Sequence, residues 1–176
     1  MLRIHEVLNE WLLIIIMRKI IGLISWCLLA PLQLALSDDG NVDPDCFLNF
    51  TQMATAYGYP SEVHTVHTED GYILNVFRVP HGVDQEYEKG RPVAFVQHGI
   101  QGSAEDFIQN SHDKSIIYLL ADAGFDVWVG NSRGSYYSMG HETLDNKEKE
   151  YWEFTWVEMG RYDIPAVVEY ILKETG

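Results

Sequence analysis

Apolar positions change their rhythm three times along the chain. Trp11 to Ile16 is a continuous apolar run, Arg18-Lys19 interrupts it, and Ile20 to Leu36 is apolar again apart from Ser25 and Gln33. From Val63 onward the runs are short. Val63 to Thr68 and Tyr72 to Val79 are rich in Val, Thr, Ile, Tyr and Phe, with Glu69-Asp70-Gly71 between them. An Asp-Gly pair between two β-prone runs predicts a hairpin. Val93 to Val96 and Phe125 to Val129 are apolar without alternation, the pattern of strands buried on both faces. Ser115 to Ala123 carries apolar residues at 116, 117, 119, 120 and 123, which predicts a helix stopped by Gly124. Ile164, Val167, Val168, Ile171 and Leu172 form a second helical stripe, with Asp163 as its expected cap and Pro165 in its first turn.

After the hairpin the order is strand, helix, strand, long loop, helix. Buried strands alternating with helices predict an α/β sheet with parallel strands and right-handed crossovers. Pro80 to Pro92 reads as a polar loop.

The first 37 residues stand apart. Neither apolar half reaches the ~20 residues of an uninterrupted membrane span. Read from Met17, the segment has a basic start at Arg18-Lys19, an apolar core from Ile20 to Leu29, and a small-x-small site at Ala35-Leu36-Ser37. That is the layout of a secretory signal peptide, with residues 1–16 as an unused upstream start. A retained anchor over residues 11–36, making a type II membrane protein, is the alternative. The expected organisation is an upstream segment and signal peptide over 1–37, a lead-in over 38–60, and a partial α/β domain over 61–176.

Composition bounds the partners. The 176 residues hold 12 Lys plus Arg against 26 Asp plus Glu, a net charge of -14. With no basic cluster longer than Arg18-Lys19, the balance excludes nucleic acid as a partner. Cys27 leaves with the signal, so Cys46 is the single cysteine of the remainder, read as a buried small apolar residue. Asn49-Phe50-Thr51 is an N-glycosylation sequon, meaningful on entry into the secretory pathway.

Three phrases could carry chemistry. Gln97-His98-Gly99-Ile100 follows a predicted strand. His-Gly there fits either an oxyanion turn, with the Ile100 backbone N–H as donor, or an ordinary glycine-rich turn. Gly130-Asn131-Ser132-Arg133-Gly134 has the spelling of a nucleophile elbow, G-x-S-x-G. An elbow needs a helix directly after it, yet Ser135 to Gly140 has no helical stripe. The one later histidine is His141, with no carboxylate between it and Ser132. Ser132 therefore reads as a turn residue. His64 and His67 fall on opposite faces of a strand, so no metal site is expected. Glu69 and Asp70 read as turn residues rather than an acid/base pair, and His81, His112 and His141 as solvated. Tyr151, Trp152, Phe154 and Trp156 read as packing residues, with a lipid-facing surface as the alternative.

These phrases, taken in order, resemble the acid-lipase family, the group of gastric lipase and lysosomal acid lipase. The match is carried by Tyr57-Gly58-Tyr59-Pro60, Thr68-Glu69-Asp70-Gly71-Tyr72, Gln97-His98-Gly99, Leu120-Ala121-Asp122-Ala123-Gly124, Gly130 to Gly134, and Tyr162-Asp163-Ile164-Pro165. The resemblance covers roughly residues 46–176. It implies an α/β-hydrolase fold and hydrolysis of neutral-lipid esters by a Ser-His-Asp triad, without a cofactor, in a secreted or lysosomal protein that makes transient lipid-surface contact. It places the oxyanion donor on the Ile100 N–H, where the family usually has Leu, supported by His98 and Gly99. It makes Gly130 to Gly134 a structural turn. The family's nucleophile lies on the strand after the Pro165 helix, so the expectation is an incomplete fold whose triad lies downstream of Gly176. Beside an N-terminal lipase part stands a second reading, a non-catalytic secreted relative that binds lipid or a partner.

Overall fold

A computed structural model describes residues 44–176. The signal-peptide reading of residues 1–37 and the first part of the lead-in, through residue 43, lie outside the described residues. The hairpin forms as expected: β1 (Glu62–His67) pairs antiparallel with β2 (Tyr72–Val79). Its turn closes with the Gly71 N–H donating to the Thr68 carbonyl at 3.0 Å, and Gly71 takes a φ of 93° that a side chain would disfavour. Next come β3 (Val93–Gln97), β4 (Asp126–Gly130) and the two-residue β5 (Gly140–His141). The sheet order is β1-β2-β4-β3, with β5 on β2. β3 and β4 are parallel, joined over α2 (Ile116–Asp122), as the α/β pattern required.

Period-two alternation divides the core between the two sheet faces. Phe77, Val79, Val127 and Val129 face one way, onto α1 (Phe50–Ala56) and α2. Leu74, Val76 and Trp128 face the other, onto Val167 and Ile171 of α3 (Ile164–Thr175). All five residues of β4 are buried, and each such Val stabilises the fold by about 1.5–3 kcal/mol. Described lead-in residues Phe50, Met53, Ala54 and Tyr59 join the first cluster.

Several expectations change. β3 is partly exposed, with Val93 open to solvent, because β4 is its one sheet neighbour among the described residues. The buried face of α2 is Ile117, Tyr118 and Ala121, and Ile116 and Leu119 are exposed. Tyr118 turns inward because Tyr59 stacks on it at 4.3 Å. On α3, Val168 and Leu172 are exposed beside buried Val167 and Ile171. Asp163 is not a cap. Thr155 caps the helical run that starts at Trp156, with a capping box to Glu158, and Asp163 closes a π-helical stretch (Met159–Asp163) inside that run. Cys46 is exposed, on the short turn Pro44–Phe47, which buries none of its residues.

Candidate functional site

The chain leaves the carboxyl end of β3 through a tight turn. The Gly102 N–H donates to the Gly99 carbonyl at 3.2 Å, and Gln101 takes a φ of 66°. A positive φ at the third turn position is the type II pattern, here held by a residue other than glycine. Ile100 occupies the second position and is 75% exposed. His98, by contrast, is 8% exposed. Its Nδ1 lies 2.7 Å from the Gly99 carbonyl oxygen, and its Nε2 accepts the Ser132 backbone N–H at 3.1 Å.

The partner in that contact is the turn after β4. Its residues are pinned one by one. The Asn131 side chain accepts from the Ala104 N–H at 2.9 Å and donates to the Asn75 carbonyl at 2.9 Å, joining the loop after β3 to β2. The Ser132 hydroxyl accepts from Gln97 Nε2 at 3.0 Å. Arg133 is 1% exposed. It donates from Nη1 and Nη2 to Asp70 at 2.6 and 2.8 Å, and from Nε to Asp163 at 2.8 Å, while its backbone N–H reaches Asp163 at 3.0 Å. Its guanidinium lies 3.8 Å from the centre of the Tyr72 ring. Burial raises the Asp70 carboxyl, but the Arg133 and Thr68 hydrogen bonds and the Arg133 charge outweigh it and hold Asp70 below the usual carboxylate range.

Between these turns and the segment before α3 lies an open cleft of about 830 Å³. His98, Gly99, Ile100, Ser132, Trp152 and Trp156 are among its lining residues. The aromatic stretch divides. Tyr151 is buried and Phe154 packs beside it, but Trp152 is half exposed and Trp156 is 71% exposed, and both line the cleft.

His98, Gly99 and Ile100 thus meet Ser132 in one place, and Asn49 sits elsewhere. Asn49 caps α1: its Oδ1 accepts the Gln52 N–H at 3.0 Å and the Thr51 hydroxyl at 2.9 Å. His64 and His67 diverge, His64 to Glu62 and Tyr170, His67 to Glu142. His141 is not solvated. Its Nδ1 accepts the Thr143 and Leu144 N–H groups at 3.0 Å, and its ring packs edge-on to Tyr72. His81 is partly buried against the Gly82 carbonyl, and His112 stacks on Tyr57. After Ser132 the chain forms turns, with no helix until Lys149.

Sequence reasoning missed the Arg133 hub and gave Asp70 and Asp163 local roles as turn and cap. The available signal was a lone Arg between buried β4 and a glycine in so acidic a chain, a cation that needs buried carboxylates.

Residues 50–111 match the family described as partial alpha/beta-hydrolase lipase region. Lipase member M of Homo sapiens is 48% identical over 136 residues, which are 77% of this chain and 32% of that protein. Gastric triacylglycerol lipase of Bos taurus is 47% identical over 135 residues, 76% of this chain and 34% of that one. Lysosomal acid lipase/cholesteryl ester hydrolase of Homo sapiens is 45% identical over 136 residues, 77% and 34% respectively. The chain spans about a third of the length of these curated relatives. With the mixed sheet, the crossover and the His98-Gly99 turn in place, this chain carries part of an α/β-hydrolase lipase region and is similar to the N-terminal region of the acid lipases.

Proposed function

We propose that the chain supplies the oxyanion side of a carboxylic ester hydrolase acting on neutral-lipid esters in lipid catabolism. The observation that carries this is the Ile100 amide. It stands at the end of a parallel strand, on the wall of an open cleft, and no acceptor among the described residues takes its hydrogen. A backbone N–H there can donate to the oxygen of an ester carbonyl as attack turns it into an oxyanion, and such a donor is worth about 10²–10³ in kcat. The names of the relatives, a triacylglycerol lipase and a cholesteryl ester hydrolase, favour an uncharged ester, as does this chain's acidity.

In this reading the nucleophilic Ser, the His and the Asp come from sequence outside the 176 residues. The surroundings of Ser132 support it. Its hydroxyl accepts from Gln97 Nε2, and His98 Nε2 is taken up by its backbone N–H, with no hydrogen bond from an imidazole to the hydroxyl among the described residues. The reaction is acyl transfer to the serine and then to water, with no cofactor. Exposed Trp152 and Trp156 beside the cleft would touch a lipid surface transiently.

The test compares this chain with a product that carries the downstream sequence. The chain alone is expected to leave a short-chain p-nitrophenyl ester intact. The longer product is expected to hydrolyse it and to take a fluorophosphonate label on a serine beyond Gly176. Turnover by the chain alone, lost in Ser132→Ala, would overturn the assignment. A longer product that neither turns over nor labels would favour a non-catalytic lipid binder.

We propose passage through the secretory pathway, to the cell exterior or the lysosome. Asn49 is exposed and uses its Oδ1 for the cap, which leaves Nδ2 for a glycan. A glycosidase-sensitive mass shift, absent in Asn49→Gln, is the expected result.

A further inference from the structure

Two donors converge on the carbonyl oxygen of Gly99. His98 Nδ1–H reaches it at 2.7 Å and the Gly102 N–H at 3.2 Å. That carbonyl and the Ile100 N–H belong to one peptide group. In a trans peptide the two point in opposite directions, and the described chain contains no cis bond. Holding the Gly99 oxygen toward the buried ring therefore turns the Ile100 N–H away from it, toward the cleft that both residues line.

The ring itself is held. Nε2 accepts from Ser132 N–H at 3.1 Å, which requires a bare Nε2. Donation to a carbonyl requires the hydrogen on Nδ1. Both contacts demand the same neutral tautomer. The Ser132 amide is in turn held by its neighbours, Asn131 tying the loop after β3 to β2 and Arg133 gripping Asp70 and Asp163.

We propose that His98 is a positioning residue: acting through the Gly99 carbonyl, it sets the direction of the Ile100 N–H, and it takes its own orientation from the Gly130 to Gly134 turn. The proposal rests on the reading of Ile100 as oxyanion donor. His98 does not touch the reacting atoms in this arrangement. A histidine that merely fills space needs no particular tautomer and gives no graded response to substitution.

Two variants separate the possibilities. His98→Asn keeps a donor near the position of Nδ1 and loses the acceptor for Ser132. His98→Phe keeps the ring and loses both. Long-range ¹⁵N–¹H spectra of the unsubstituted chain are expected to show the hydrogen on Nδ1 at neutral pH, and a hydrogen on Nε2 overturns the proposal whether or not the variants fold. In the ester-hydrolysing product, His98→Phe is expected to lower kcat by at least about tenfold with KM changed less than about twofold, because an oxyanion donor acts in the transition state. His98→Asn is expected to regain most of that loss. Equal losses in the two variants, or losses carried by KM, overturn the proposal. If no product hydrolyses esters, the functional reading fails, and the Ile100 amide resonance decides the positioning role alone. It is expected to stay near its place in His98→Asn and to shift or broaden in His98→Phe. An amide signal unmoved in both would overturn the role.

Discussion

Arg133 and Asp70 meet in a two-pronged bond, Nη1 and Nη2 each donating to its own carboxylate oxygen at 2.6 and 2.8 Å. The two residues are 63 positions apart, one in the hairpin turn and the other in the turn after β4. Asp163, before α3, takes the third side of the same guanidinium. One cation therefore ties the segment before α3 to the turns that flank the paired strands β2 and β4.

Removing that cation strands two carboxylates, one of them buried. Arg133→Met is expected to destabilise the protein by about 3–5 kcal/mol, the usual cost of breaking a buried pair from one side. Urea unfolding measures it. A loss below about 1 kcal/mol would mean that the carboxylates find water or other donors. Arg133→Lys is expected to restore little, since an ammonium cannot bond two carboxylates in one plane.

Asp70 makes stability depend on acid. Its folded-state carboxyl lies below the usual range, so its contribution is complete above the unfolded pKa, about 3.9, and fades as pH falls through the lower folded value. Asp70→Asn is expected to be less stable at pH 7 by about 2 kcal/mol, the scale of a hydrogen bond to a charged group. The gap between it and the unsubstituted protein should narrow below pH 4. Melting curves at pH 7 and pH 3 decide it, and a gap that stays constant across that range would rule the linkage out.

Thr155, and not the expected Asp163, caps the helical run that leads into α3. A cap acts locally, so Thr155→Ala is expected to cost about 1 kcal/mol, additive with Arg133→Met. Asp163→Ala is expected to couple to Arg133→Met by about 2 kcal/mol or more, because the two changes remove one shared interaction. A double-mutant cycle reads both. Additivity for Asp163 would return it to the role of cap.

The strands and the crossover were legible because period-two and buried runs report directly on which face meets the core, as in Val127, Trp128 and Val129. The turn after β3 was legible from His98-Gly99 after such a run. What local pattern does not carry is the partner of a charge. Asp70 beside a glycine looks like any turn aspartate, and Asp163 before a proline looks like any cap, until the fold brings Arg133 between them. Tyr118 escaped the helical stripe for a similar reason, since its inward face depends on Tyr59, distant in sequence. The exposure of Trp152 and Trp156 was equally hidden, because an aromatic run gives no sign of which rings find cover.

The Ile100 amide can be deleted without disturbing its turn. Ile100 stands at the second position of a type II turn, where proline is favoured, and its N–H has no acceptor among the described residues. Ile100→Pro therefore removes a single hydrogen and keeps the backbone course, whereas Ile100→Leu keeps the hydrogen and changes only the side chain. If that hydrogen stabilises the oxyanion, Ile100→Pro lowers kcat of the ester-hydrolysing product by about 10²–10³ with KM little changed, and Ile100→Leu leaves both near their starting values. The fold should be indifferent to both changes, so melting temperatures are expected to agree within a few degrees. A proline variant that melts normally and turns over normally would remove Ile100 from the reaction and leave the His98-Gly99 phrase as an ordinary glycine turn.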